Sequence, residues 1–486
     1  MWIEEELQKD SAGIRRAIHA LTRDYQKQLP RSIRSRLSEN KDTTNDFMDH
    51  FYDRLRNAEF TVYQKMTAGA DAADADDEHR RPAFQLTEIK NSANDLPHPR
   101  ILSELQRAYD MRRRGGGGGG GDDDDRYIPY KVYAHIREKS EYCIQFQSTI
   151  HGRAITLYFI TFPESHIAVC NKKRNEAGVC ASEIAVYQLY AYKVFVWLSL
   201  VTSLADKECS EKSLHVYFYM TPFKKQRPTD DAILSAIHVN TGLTRNCETH
   251  GEIVVYRAEE WFKVFIHESM HNFNMDFIDL DLKSANEQLR RTFCIPHADI
   301  LLFETYTETW ARIINTMFDT YFQDDGAVAA AVSRTHFIRA VREKLADNAM
   351  FYAYQIVKVL DIMELKYAHI TVQTAENTEV CRKRYAEDTN VYAYYILGGI
   401  LSVYALPFIS WCCAHNRSGG GGGIGAVRFS QSTNNLAHFV EFVANSARDP
   451  VLLSMISFIE NTSSSSSAHS NPAAVVKNTM RMTVES

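Results

Sequence analysis

The chain has 486 residues, with 55 Lys+Arg against 61 Asp+Glu, a formal net charge of −6, 45% hydrophobic and 24% charged residues. That balance is soluble and globular, and it excludes a largely disordered chain, a collagen-like chain and a disulfide-stapled miniprotein. The slight acidic excess, with no Arg/Lys stripe interleaved with aromatics, argues against nucleic acid as a partner. Of 22 glycines, 12 sit in two runs, Gly115–Gly121 and Gly419–Gly423. The remainder is Gly-poor and expected to be helix-rich, its parts separated by flexible tracts.

In chain order, residues 1–114 read as a helical region, with Ile14, Ala17, Ile18 and Leu21 at helical spacing. Within it, residues 66–100 are Ala/Asp-rich with three prolines and read as a loop. Residues 115–126 form a Gly/Asp linker with no side chains to bury. An α+β lobe follows over 127–257. Tyr130–His135, Tyr142–Gln147 and Ala154–Phe162 read as strands, with His151-Gly152-Arg153 as a turn. Ser182–Leu204 reads as a long helix, Leu214–Met220 as a strand, Asp231–Ile237 as a short helix and Gly251–Arg257 as a further strand. Residues 258–418 look helical throughout. Residues 419–425 form a second linker, 426–460 a helical segment, and 461–486 a disordered Ser-rich tail.

Nine cysteines, an odd number with no CxxC pair, predict free thiols in a reducing compartment. The N-terminus Met-Trp-Ile-Glu-Glu-Glu-Leu has no apolar h-region, so the expected location is intracellular (cytoplasmic) rather than secreted. Val391–Ala414 holds no charged residue and is the single candidate membrane span; its tyrosines, serines and Pro407 favour a buried helix instead.

The chemistry is concentrated in Glu259-Glu260-Trp261-Phe262-Lys263-Val264-Phe265-Ile266-His267-Glu268-Ser269-Met270-His271. On a helix, residues four apart share a face, so His267 and His271 present ring nitrogens to one metal ion, with Glu268 beside the water it holds. Glu259 and Glu260 suit a helix N-terminus. Between Val264 and Phe273 the motif supplies every ionisable residue, and burying such groups is costly unless they are paired or bind metal. Hydrogen-bonded core histidines with Glu268 as partner are the bland alternative.

A catalytic site needs a third protein ligand. A continuing HExxHxxGxxH pattern fails, because Asn274 and Phe277 occupy its Gly and His positions. Asp276 or Asp279 would serve in an aspartate-type site. Glu304 and Glu308, four apart on an apolar helix, offer the better choice.

Glu308-Thr-Trp-Ala311, placed after His-Glu-x-x-His, resembles the Glu-x-x-Ala signature of gluzincin metallopeptidases. Residues 210–320 are also similar in layout to zinc metallopeptidases encoded by large DNA viruses, which would add a virion-associated location. The resemblance implies a zincin-like two-lobe α+β fold and one Zn2+ per chain. It implies His267, His271 and Glu308 as ligands, with Glu304 as a supporting partner or as the ligand itself. It implies Glu268 as general base acting on a peptide or protein substrate. A Tyr or His would stabilise the intermediate; of Tyr306, Tyr394, Tyr395 and His297, Tyr395 is preferred. The strand Gly251–Arg257 would lie beside the cleft, with Arg257 touching substrate. The rival reading is a catalytically inactive zincin fold in a structural or virion role.

Overall fold

The hydrophobic runs between residues 142 and 255 assemble into one mixed sheet. The computed structural model describes residues 2–28, 41–67, 88–90, 96–104, 127–162, 181–229, 233–294, 300–322, 332–416, 423–464 and 476–485. Helices α1 (Trp2–Gln28) and α2 (Lys41–Thr67) precede β1 (Glu88–Lys90), α3 (Tyr130–Lys139), β2 (Tyr142–Ile150), β3 (Arg153–Thr161), α4 (Ala181–Val201) and β4 (Ser213–Tyr219). Then come α5 (Ala236–Val239), β5 (Gly242–Thr244), β6 (His250–Val255), α6 (Trp261–Asn272), α7 (Lys283–Thr292), α8 (Leu302–Tyr321) and α9 (Arg334–Ile362). The chain continues through α10 (Tyr367–Thr371), α11 (Ala375–Arg384), a π-helix (Tyr392–Leu397), α12 (Gly398–Val403), α13 (Ala405–His415), α14 (Thr433–Ala447) and α15 (Pro450–Ser464). The fold is α+β, as the sequence leads one to expect.

The sheet order is β1-β2-β3-β4-β6-β5. The β3–β4 and β4–β6 pairs are parallel and the others antiparallel. The β2–β3 hairpin turns at His151 (φ 47°) and Gly152 (φ 81°), the two positive φ values that a tight two-residue turn requires. Both faces are covered, which is why β4 is apolar along most of its length, Ser213 and His215 excepted. Val216 and Phe218 join the main core, where Phe218 stacks on Phe159 at 4.8 Å and meets Trp261 of α6 at 5.4 Å. Tyr217 and Tyr219 face the opposite way, into a smaller cluster with Val132, Tyr133 and Ile136 of α3.

Several expectations are corrected. Tyr130–His135 is not a strand: Pro129 stands at the N-cap of a helix, where its missing N–H costs nothing, and the buried face of that helix closes the sheet. A strand, β1, lies inside the stretch read as loop. The N-terminal helices are not flexibly attached. Phe47 packs on Trp310 at 5.4 Å and Tyr52 on Tyr321 at 5.9 Å, and buried Glu59 accepts hydrogen bonds from Tyr192 (3.2 Å) and Tyr321. Val391–Ala414 is broken into three short helical pieces, two of them bent by 90° at the break, and is largely buried among other helices. The long helix containing Ile184–Val201 passes a length-and-composition test for a span, and over half of that window is buried in the fold. The Gly115–Gly121 run and most of the second glycine run lie outside the described residues.

The thiols divide. Cys209 and Cys247 form a disulfide, 38 residues apart in sequence, while Cys143, Cys294, Cys381, Cys412 and Cys413 are free. Cross-linking over that separation stabilises by about 4 kcal/mol on a chain-entropy model. The bond ties the exit of α4 to the β5–β6 loop, beside the end of α6, where Cys247 N–H donates to the Asn272 carbonyl at 3.2 Å. The sequence was a poor guide here because the two cysteines meet only through sheet topology.

The tail is corrected most strongly. Residues 480–485 are almost wholly buried, and the segment 476–485 is held by hydrogen bonds to distant parts of the chain. Among them, Arg227 N–H donates to the Asn478 carbonyl (2.8 Å) and Met480 N–H to the Lys225 carbonyl (3.0 Å).

Candidate metal centre

Helix α6 lies against β5 and β6 on one side and α8 on the other. Lys263 meets Glu308 while His267 and His271 meet Glu304, so α6 and α8 run antiparallel. Nε2 of His267 lies 3.1 Å from Nε2 of His271; the two nitrogens lie 3.1 and 3.2 Å from Oε2 of Glu304. Tetrahedral N and O ligands about 2.0–2.1 Å from a divalent ion lie roughly 3.3 Å apart, so this triangle fits one such ion. Among the described residues, this trio is the group of His, Cys, Asp and Glu that could hold a metal.

Each imidazole is backed by a carboxylate. His271 Nδ1 pairs with Asp276, itself fully buried. His267 Nδ1 lies 3.2 Å from Oε2 of Glu308, close enough for an ion pair although not aligned as a hydrogen bond. Such outer partners fix ring orientation and raise ligand basicity.

The third place therefore goes to Glu304, one turn before Glu308. Both oxygens of Glu308 are already engaged. Lys263 Nζ reaches Oε1 and Oε2 at 2.9 and 2.8 Å, and Arg312 Nε reaches Oε1 at 2.9 Å. Burial opposes the charge on Glu308, but Lys263 and Arg312 hold its pKa well below the usual carboxylate range. Glu304 is only partly buried, and although desolvation opposes its charge, His271 and His267 hold its pKa low. In turn, desolvation would lower the pKa of His271, and the charges of Glu304 and Asp276 raise it well above normal. A cation at the centre would take the place of those protons.

Glu268 is different. Burial pushes its pKa up, with partial relief from His267 and His271. It makes no hydrogen bond or ion pair with any described residue. Its carboxylate lies against the edge strand, where a Cβ on Gly242 would stand 3.0 Å from Glu268 Oε1 and 2.7 Å from Val264 Cγ1. Glycine at 242 is thus what lets β5 approach the helix.

The centre opens into a cleft of about 940 Å³. One wall is Val239–Asn246, including β5; the other includes Leu301, Phe303, Glu387–Asn390 and Tyr394. β5 is the edge of the sheet, with its outer side unpaired by any described strand, whereas β6 is flanked by β4 and β5. The expectation that Gly251–Arg257 lines the cleft is thus corrected by one strand. Glu387 on the far wall has its pKa pushed up to about 7 by burial, against opposing hydrogen bonds from Tyr385 and Tyr392.

Two predicted site residues are not at the centre. Tyr395 is fully buried and donates to the Met480 carbonyl. Its neighbour Tyr394 donates to Oε2 of Glu304 at 3.1 Å. Both lie on the π-helix, whose consecutive side chains point in different directions, so one faces α8 and the other the buried C-terminal segment. Arg257 is also fully buried; its Nη2 donates to the Ile237 carbonyl at 2.8 Å, closing the end of α5. Tyr306 donates to the Val427 carbonyl at 2.9 Å, and Asp279 is exposed. His297 lies outside the described residues.

Glu259 and Glu260 do more than face a helix dipole. Glu260 has φ 58° and accepts from Lys225 Nζ (2.9 Å), Met482 N–H (2.8 Å) and Thr483 N–H (2.6 Å). Glu259 accepts from Lys225 N–H. They clamp two remote segments onto the start of the metal-site helix, and no local sequence signal marks that role.

Compared with known proteins, the chain matches no family model, no curated protein and no solved structure.

Proposed function

We propose that the protein is a zinc-dependent metallopeptidase of gluzincin-like, two-lobe zincin architecture. The observation that carries the reading is the convergence of His267, His271 and Glu304 beside an unpartnered Glu268, all at the floor of one cleft. Two imidazole nitrogens and one carboxylate oxygen are the donor set of hydrolytic zinc sites. Bound there, zinc supplies Lewis-acid activation of water and of the scissile carbonyl.

The chain's own residues do the rest. β5 offers its free edge to an extended peptide, which adds to the sheet as a further strand. Glu268, its basicity raised by burial, accepts the proton of the attacking water and delivers it to the leaving amine. Tyr394, hydrogen-bonded to Glu304, has its hydroxyl on the cleft wall and donates to the oxyanion as it develops. An inactive structural site has no use for Glu268, and this disfavours the rival reading.

The test is metal analysis and peptide hydrolysis on the purified full chain. The expected result is about one zinc per chain and chelator-reversible cleavage, both lost in the His267→Ala/His271→Ala variant. A wild type that takes up no divalent metal removes the proposal. Metal bound without cleavage of any peptide leaves the structural reading in its place.

Tyr394→Phe is expected to lower kcat by roughly 10²-fold with little change in KM, by analogy with loss of one oxyanion donor. Tyr395→Phe should act on thermal stability instead. A larger kcat effect at Tyr395 would reverse the assignment.

A further inference from the structure

Met482 belongs to a segment remote in sequence from every site residue, yet it lines the cleft. Its Sδ lies 3.7 Å from Lys263 Nζ, one helical turn before His267. Lys225, Lys263 and Glu308 line the same corner. All of that corner's charges are already matched. Lys225 pairs with Glu260 at 2.9 Å and Lys263 with Glu308 at 2.8 Å, each almost wholly buried. What they leave for an incoming group is lysine methylene stems and a thioether.

The wall is also fixed. The N–H groups of Met482 and Thr483 are bound to Glu260. The Met480 carbonyl accepts from Tyr395, the Arg481 carbonyl accepts from Gln355, and Arg481 Nη2 reaches the Glu485 carbonyl at 2.8 Å. The segment therefore behaves as a permanently seated peptide whose single contribution to the cleft is one side chain.

We propose that Met482 is a specificity-determining residue: with the stems of Lys225 and Lys263 it forms the end wall of a pocket beside His267 that takes a medium-sized apolar substrate side chain of Leu or Met type. This rests on the peptidase reading above. A charged side chain would find every counter-charge there already engaged, and burying it unpaired is unfavourable. A larger ring would meet a wall that its backbone bonds do not allow to retreat.

The experiment compares kcat/KM for peptides that differ at one position beside the scissile bond, carrying Leu, Trp, Lys or Glu, in wild type, Met482→Ala, Met482→Leu and Met482→Phe. Wild type is expected to prefer Leu over Lys and Glu by at least tenfold. Met482→Ala should raise the Trp:Leu ratio by roughly tenfold or more, the scale on which hydrophobic pockets sense added volume. Met482→Phe should lower it, and Met482→Leu should restore the wild-type profile. The same rank order should appear in peptide Kd values measured in a Glu268→Gln background, a readout independent of turnover. If Met482→Ala does not fold, the Phe and Leu variants still decide the matter. Profiles within twofold of wild type in variants that hold metal and melt normally would overturn the inference alone. A wild type that cleaves none of the peptides would overturn it together with the peptidase reading.

Discussion

Replacing Glu268 by Gln is expected to leave zinc bound and to lower kcat by about 10²–10⁴-fold, the range in which a positioned general base contributes. The reasoning starts from what Glu268 lacks. Four acids around the centre each have a cationic or imidazole partner: Glu260 has Lys225, Glu308 has Lys263 and Arg312, Asp276 has His271, and Glu304 has both histidines. Glu268 has no such ion-pair or hydrogen-bond partner among the described residues, and burial has raised its pKa. A buried carboxylate without a partner destabilises the fold. Glutamine removes the charge and keeps the shape, so the variant should also melt at the wild-type temperature or above it. Metal analysis, a melting curve and a continuous peptide assay read the three consequences. Cleavage retained at near wild-type kcat would mean that another group accepts the proton.

Glu304 and Glu308, one turn apart on α8, should respond in opposite ways when truncated. Glu304→Ala removes a ligand atom from the triangle with His267 and His271. It is expected to weaken zinc binding by more than about 100-fold, beyond the 10–100-fold typical of losing an outer partner, while the metal-free protein stays folded. Glu308→Ala leaves Lys263 and Arg312 buried without their carboxylate. Stranding a buried charge costs roughly 3–5 kcal/mol, so this variant should lose stability first and lose metal affinity only through the weakened support of His267. Zinc titration with a chromophoric competitor, paired with denaturant unfolding of the metal-free proteins, separates the two. If Glu308→Ala proves the stronger disruptor of metal binding in a normally folded protein, the ligand assignment returns to Glu308.

Much of this site is legible in the linear chain, for a physical reason that can be stated residue by residue. His267, Glu268 and His271 lie within two turns of one helix, and helical geometry alone puts the two imidazoles on one face. The apolar stretch around them and the β-rich run before them announce a buried helix beside a sheet. The α8 acids could be named as a pair, because Glu304 and Glu308 stand four apart and so share one face of that helix. The choice between them could not be made locally. It depends on Lys263 and Arg312, which engage both oxygens of Glu308, and hence on how α6 and α8 are set against each other.

The remaining corrections share that origin. Tyr394 and Tyr395 are chemically equal in sequence, and the way their helical segment sits against α8 decides which of them reaches Glu304. Cys209 and Cys247 look like two more free thiols until the sheet order brings their loops together. Residues 476–485, with their Lys, Arg, Asn, Thr and Glu, read as solvated because local composition is polar; in the fold Lys477 and Asn478 stay exposed, while Glu485 and the backbone of Asn478, Thr479, Met480 and Met482 bond to Glu260, α9 and the segment after β4. The sequence by itself therefore determined the α+β class and the helix whose spacing puts His267 and His271 on one face, since each depends on the pattern along single elements. Tertiary structure decided that Glu304 joins the two histidines, that Tyr394 reaches it, that β5 is the sheet edge and that Met482 lines the cleft, since each depends on contacts between elements far apart in the chain.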